Sequence, residues 1–265
     1  MGTQLTGKIA IVTGASNGIG RAIAETFATE GAKTVLVARR AGLLDEVAAG
    51  ITSRGGEALA VATDLTNEDA VVALFATVRQ AFGRLYVLVN NAGIATHKNT
   101  EDIELAYWRE ALDINITAAF LCAREAIRIM KEQAPKGGRI INIGSVSAKT
   151  PRPDSLPYTV TKFGLQGMTH QLTMDGRKHD IVDHPSRRDL VVVHHPPRPH
   201  QGRRRRDAGR LCDDGRGRRE SRGADGGAAA RSESLRGDDP AEPHALVHRA
   251  GMTGVPLAVC RRHVE

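Results

Sequence analysis

The stretch "TGASNGIG", Thr13 to Gly20, decides how this chain is read. It lies between the apolar run "KIAIV" and the helix-like run "RAIAETFATEG". Glycines at 14, 18 and 20 fall where a buried strand would hand over to a helix. Glycine lets backbone approach a ligand with no Cβ in the way. Free N–H groups of the first helical turn then face that ligand, and the helix dipole favours an anion. A pyrophosphate fits such a turn. A plain tight turn is the competing reading, and glycines alone do not separate the two. The position, between the first strand and first helix of an alternating chain, favours the anion cradle.

Outward from the turn, apolar runs and amphipathic runs alternate. The first helix is expected to close at Gly31. "KTVLVA" reads as a second strand, "LLDEVAAGITSRG" as a helix and "EALAVATDL" as a third strand. "NEDAVVALFATVRQAFG" reads as a helix with Asn67 as its N-cap, and "LYVLVNNAG" as a strand entering a turn. One long helical stretch follows, "AYWREALDINITAAFLCAREAIRIMKEQ". Then come a fifth strand, "GGRIINIGS", and the helix "YTVTKFGLQGMTHQLTMDG". This order predicts an α/β fold: a Rossmann-like, doubly wound parallel sheet in three α/β/α layers.

The bulk numbers agree. A chain of 265 residues, 41% hydrophobic, suits one large α/β domain. No apolar run is long enough to span a membrane, and "MGTQLTGK" lacks the apolar core of a secretory signal. Cys122, Cys212 and Cys260 form no C-x-x-C pair, so neither a zinc site nor a disulfide framework is proposed. A cytoplasmic location is the expectation.

The net charge of +7 raises the question of a nucleic-acid partner, but the charge is unevenly placed. After Ile181 there is no Ile, Asn, Phe, Tyr, Trp or Lys, and runs such as "HHPPRPHQGRRRRDAGR" dominate. Two segments follow, 1–181 as the dinucleotide-binding domain and 182–265 as an Arg/Gly/Pro-rich segment. By composition the second is a disordered tail. A nucleic-acid-binding arm ranks below a third reading, a shifted reading frame in GC-rich DNA. Read one nucleotide later, "DHPSRRD" (Asp183–Asp189) can give Ile-Ile-His-Pro-Gly-Ala-Thr. "DDGRGRR" (Asp213–Arg219) can give Met-Thr-Ala-Glu-Asp-Val-Ala, and "RGDDP" (Arg236–Pro240) Glu-Val-Thr-Ile.

At the end of the second strand stand Ala38, Arg39 and Arg40, where an acid would pair with the ribose hydroxyls of NAD. Guanidinium groups match a 2′-phosphate, which favours NADP with NAD as the alternative. Two solvated surface arginines is the plainer reading. Asp64, ending the third strand, is expected to accept from the adenine amino group or to cap the helix approach. In "GSVSAKTPRPDSLPYTVTKFG", Ser145 follows a strand, Tyr158 opens a helix, and Lys162 lies one turn on. A nearby ammonium favours phenolate, so Y-x-x-x-K on a helix is a sensible acid/base unit.

These residues together resemble the short-chain dehydrogenase/reductase family. Its T-G-x-x-x-G-x-G turn is matched by Thr13, Gly14, Gly18 and Gly20, and its N-N-A-G by Asn90, Asn91, Ala92 and Gly93. Its helix asparagine is matched by Asn115, and its Ser-Tyr-Lys set by Ser145, Tyr158 and Lys162. The resemblance covers about residues 5 to 181. It implies a reductase or dehydrogenase acting on a small carbonyl or alcohol. Tyr158 would exchange the proton and Ser145 would hold the substrate oxygen. Lys162 would support Tyr158 and bind the nicotinamide ribose, and Asn115 would seat a water leading to Lys162. Cofactor contacts are implied at Thr13, Gly14, Ser16, Asn17, Gly18, Ile19 and Gly20, then at Arg39, Arg40, Asp64 and Leu65. Asn91, Ala92, Gly93, Tyr158 and Lys162 complete them. A homodimer or homotetramer, built through the helix holding Cys122 and the Tyr158 helix, is also implied. The loop "AKTPRPDSLP" is placed beside the substrate pocket. The chain departs from the family after Ile181: as written, the sixth and seventh strands and the substrate lid are expected to be missing. The fifth strand would then be an exposed edge and the polypeptide poorly folded and weakly active.

Overall fold

Strand β1 (Ile9–Thr13) is buried at every residue, and its side chains divide between two cores. Ile9 and Ile11 enter one, Ala10 and Val12 the other, as the two-residue pleat requires. Burial on both faces explains why the run is continuously apolar and why helices must cover both sides. The computed structural model describes residues 4–181 and 190–193. The remaining strands are β2 (Lys33–Ala38), β3 (Glu57–Ala62), β4 (Val87–Asn90), β5 (Arg139–Ser145) and β6 (Leu190–Val193). All pairings are parallel, in the order β3-β2-β1-β4-β5-β6.

Helices α1 (Gly18–Thr29) and α2 (Ala41–Thr52) cover one face, where Phe27, Leu44, Val47 and Ile51 join Val12 and Leu36. Helices α3 (Glu68–Phe82) and α5 (Ala118–Glu132) cover the other, where Leu74, Phe75, Val78, Cys122 and Met130 join Ile11, Val35 and Leu88. The expected ends hold. Asn67 caps α3, its Oδ1 accepting from Ala70 N–H at 3.0 Å. Gly31, just past α1, takes φ of 90°, a conformation that favours glycine.

Two expectations are corrected. The long helical stretch is not one helix. Helix α4 (Leu105–Leu112) and α5 are separated by a π-helical turn, Asp113–Thr117. Such a turn inserts an extra residue into the helical repeat, and it often marks a functional site. Nor is β5 left as a bare edge. β6 pairs along it from Asn142↔Leu190 to Ser145↔Val193, so the sheet continues past the boundary placed at 181. Three consecutive valines favour an extended backbone, whatever the composition around them. The readings made for 182–189 and 194–265 lie outside the described residues. They comprise the disordered or frame-shifted tail, the missing lid and seventh strand, and the nucleic-acid arm.

Candidate active site

The strand order reverses between β1 and β4, and ligands of open α/β sheets bind outside the carboxyl ends of the strands at such a point. Every sequence-predicted site residue up to Ser145, Asn115 apart, lies at or just beyond such an end. At the seam Thr13, 1% exposed, uses its hydroxyl three ways. Oγ1 donates to Val89 O at 3.2 Å and accepts from the N–H groups of Asn91 and Ala92 at 2.9 and 3.0 Å. Asn91 Nδ2 returns to Thr13 O at 2.9 Å. The two turns of the predicted cofactor site are thus one hydrogen-bonded unit.

Within that unit the glycines differ. A Cβ on Gly14 would stand 2.8 Å from Asn91 Nδ2, and one on Gly20 would overlap the Gly14 carbonyl and the Asn91 amide. Protein therefore fills those positions. Gly18, with φ of 54°, faces open space. It opens α1, whose N-cap Asn17 makes no side-chain bond to the first turn, so the Asn17 side chain leaves those N–H groups unclaimed. An anionic group fits this cradle. Ile19 is half-buried and Ser16 buried beside it. A Cβ on Gly93 would stand 3.1 Å from Asn115 Oδ1, a tight contact that Asn115 would have to yield to.

Beyond β2, Arg39 and Arg40 are exposed. Arg40 Nη2 donates to Ser16 Oγ at 3.4 Å, next to the glycine turn. Arg39 acts on Asp64. The Asp64 carboxyl is held below the usual carboxylate range by the Thr66 backbone N–H first, then the Thr66 hydroxyl, with Arg39 adding to both. Asp64 Oδ1 is thereby engaged locally, at 3.0 and 2.8 Å. The Leu65 side chain is in the core, which leaves only its backbone for a cofactor.

Ser145 ends β5, and its Oγ accepts from Ser147 N–H at 3.2 Å. Helix α6 (Leu156–Gly176) carries Tyr158 and Lys162 on one face. Lys162 is 6% exposed and donates from Nζ to Ile143 O of β5 at 2.8 Å, two residues before Ser145. That Nζ lies 5.6 Å from the Tyr158 ring centroid. Burial disfavours the charged amine and pushes its pKa down to about 8. Asn115, in the π-helical turn, grips Ile94 from both sides. Oδ1 accepts from Ile94 N–H at 2.7 Å and Nδ2 donates to Ile94 O at 2.9 Å. Nδ2 also donates to Thr161 Oγ1 at 3.2 Å. The fold thus brings Asn115, Tyr158 and Lys162 into linked contact and ties Lys162 to the strand of Ser145. Sequence reading missed Thr96 and Thr161. Thr161 adjoins Lys162 in the motif and was legible there, whereas Thr96 meets α6 only through the fold.

The family model for short chain dehydrogenase matches residues 8–182. A 3beta-hydroxysteroid dehydrogenase of Mediterraneibacter gnavus is 38% identical over 169 residues, which are 63% of this chain and 60% of that protein. A 3-oxoacyl-acyl-carrier-protein reductase of Synechocystis is 41% identical over 63% of this chain and 67% of its own length. Among solved structures, a metagenomic short-chain oxidoreductase in complex with NADP has a TM-score of 0.66 and 38% identity, covering 71% of this chain and 83% of that one. A short chain dehydrogenase from Mycobacterium smegmatis has a TM-score of 0.65 at 29% identity, covering 68% of this chain and 75% of that one. The fold, the turn that opens it and the matched span agree, and this chain belongs to the short-chain dehydrogenase/reductase family.

Proposed function

We propose that the chain is an NADP-dependent oxidoreductase that passes a hydride between nicotinamide and a carbonyl or secondary-alcohol substrate. The observation that carries this is the buried amine of Lys162, lodged between the Tyr158 ring and the strand of Ser145. The solved relative in complex with NADP supports the cofactor, as do the exposed guanidinium groups of Arg39 and Arg40. The nicotinamide, when bound, supplies or takes the hydride.

The chain's own residues handle the rest. The Tyr158 phenol gives a proton to the substrate oxygen, or takes one from it. Ser145 donates a hydrogen bond to that oxygen as charge develops. Below about pH 8 the Lys162 amine is charged and supports the phenolate. Both donors of Asn115 are spent on protein, so a water seated there donates to Oδ1. The relatives are named for substrates as unlike as a hydroxysteroid and a 3-oxoacyl carrier protein, so none is carried over. The test uses Tyr158→Phe with NADPH and trifluoroacetophenone. Turnover should fall roughly 10²-fold or more, far beyond the change in NADPH affinity titrated by fluorescence. Full turnover in that variant would overturn the reading.

A second reading is favoured by the family match ending at residue 182: a dinucleotide-binding chain with impaired catalysis. Nucleotide binding without turnover, unaltered by Tyr158→Phe, would establish it. The same observation supports a shifted reading frame over 182–265. The gene sequence decides that, and stop codons in the shifted frame would end the idea. We also propose a cytoplasmic location, on the cysteine spacing. Self-association into a homodimer or homotetramer rests on the exposed apolar side chains Phe120 of α5 and Phe163 and Met174 of α6.

A further inference from the structure

Helix α6 is not capped by its own flank. Ser155, at its N-cap, turns its hydroxyl to Arg152 O at 2.7 Å. The Tyr158 amide, in the first turn, is one of the donors a helix cannot satisfy internally. It is satisfied from 62 positions away: Tyr158 N–H donates to Thr96 Oγ1 at 3.1 Å. Thr96 is 1% exposed and lies in the loop that follows β4 and Asn91.

The other backbone group of Tyr158 is held as well. Thr161 Oγ1 donates to Tyr158 O at 2.7 Å and accepts from Asn115 Nδ2. Asn115 grips Ile94, and Ile94 is two residues from Thr96. The circuit therefore closes: Thr96, Tyr158, Thr161, Asn115, Ile94 and back to Thr96. A second staple joins the same loop to the approach of α6, where Lys98 N–H donates to Asp154 O at 2.8 Å.

We propose that Thr96 is a positioning residue whose hydroxyl caps α6 from across the fold and sets the advance of Tyr158 toward the cofactor loop. The proposal rests on the oxidoreductase reading given above. An α-helix rises about 1.5 Å per residue, so a first turn that loosens by part of one step displaces the phenol by a comparable amount. Misplacement of about 1 Å can cost up to roughly 10²-fold in rate. Valine has the shape of threonine without the acceptor, whereas serine keeps the acceptor.

The experiment compares Thr96→Val and Thr96→Ser in the full chain. Thr96→Val should lower kcat for trifluoroacetophenone reduction at least about tenfold, with the Kd for NADPH unchanged, and Thr96→Ser should restore it. Hydrogen exchange at the Tyr158 amide should quicken in the valine variant alone. Unchanged kcat and unchanged exchange in Thr96→Val overturn the proposal. If the unaltered chain shows no turnover, the oxidoreductase reading fails, and the exchange comparison alone decides the role of Thr96. Should Thr96→Val not fold, Thr161→Val against Thr161→Ser interrogates the same circuit by the same two readouts. No change in either readout there overturns the proposal too.

Discussion

Lys162 is a cation kept where cations are costly. Among the described residues its hydrogen bond goes to a neutral carbonyl, Ile143 O, and burial holds its pKa near 8 against an ordinary 10.5. Between those values the folded chain has released a proton that the unfolded chain still binds. Stability from this group therefore rises with pH across that window, is complete above 10.5 and is absent below about 8. The increment is on the order of 3 kcal/mol at most. Urea unfolding at two pH values bracketing the window reads it, as the difference between the chain and Lys162→Met. If the two curves shift in parallel with pH, the amine is not desolvated as described. The motif made Lys162 legible in sequence. Its tie to Ile143 was not, since a side chain reaching a strand carbonyl 19 positions back leaves no local pattern.

At the scale of elements, the turn between β1 and α1 separates two kinds of glycine need. Gly20→Ala pushes a methyl into the Gly14 carbonyl, so it should lower stability and cofactor affinity together. Gly18→Ala meets no atom and pays only the left-handed backbone, about 1–2 kcal/mol. It should nonetheless lose most NADPH affinity, because its methyl occupies the open side of the cradle. Thermal melting and NADPH titration of the pair check this, and equal stability losses would refute the distinction. Strands β1 to β5 and helices α1, α2, α3 and α6 were legible because apolar runs bounded by turn residues alternate with amphipathic ones. The π-helical turn was not. Five residues of altered pitch inside an amphipathic stretch barely disturb the apolar stripe. β6 escaped for a related reason, as four residues in an Arg-rich stretch offer no period to read.

For the whole molecule, the exposed Phe120, Phe163 and Met174 bear on assembly. Sedimentation should show a dimer or larger species, and Phe120→Asp with Phe163→Asp should shift it to monomer. A monomer in the unaltered chain would remove the case for self-association. The fold class was legible from alternation alone, but the circuit around Tyr158 was not. Its members come from the loop after β4, the π-helical turn and α6, and only folding brings these together.

The Thr13 hydroxyl carries a wider implication. The part of the sheet built before residue 63 and the part built after residue 86 meet along one seam, three paired residues long. At its carboxyl end that seam is sewn by the same oxygen that joins the two turns of the proposed nucleotide cradle. Any drift that loosened nucleotide recognition at this point would also begin to unzip the protein along its middle. Mechanical integrity and the shape of the proposed cradle are thereby inherited as a single trait.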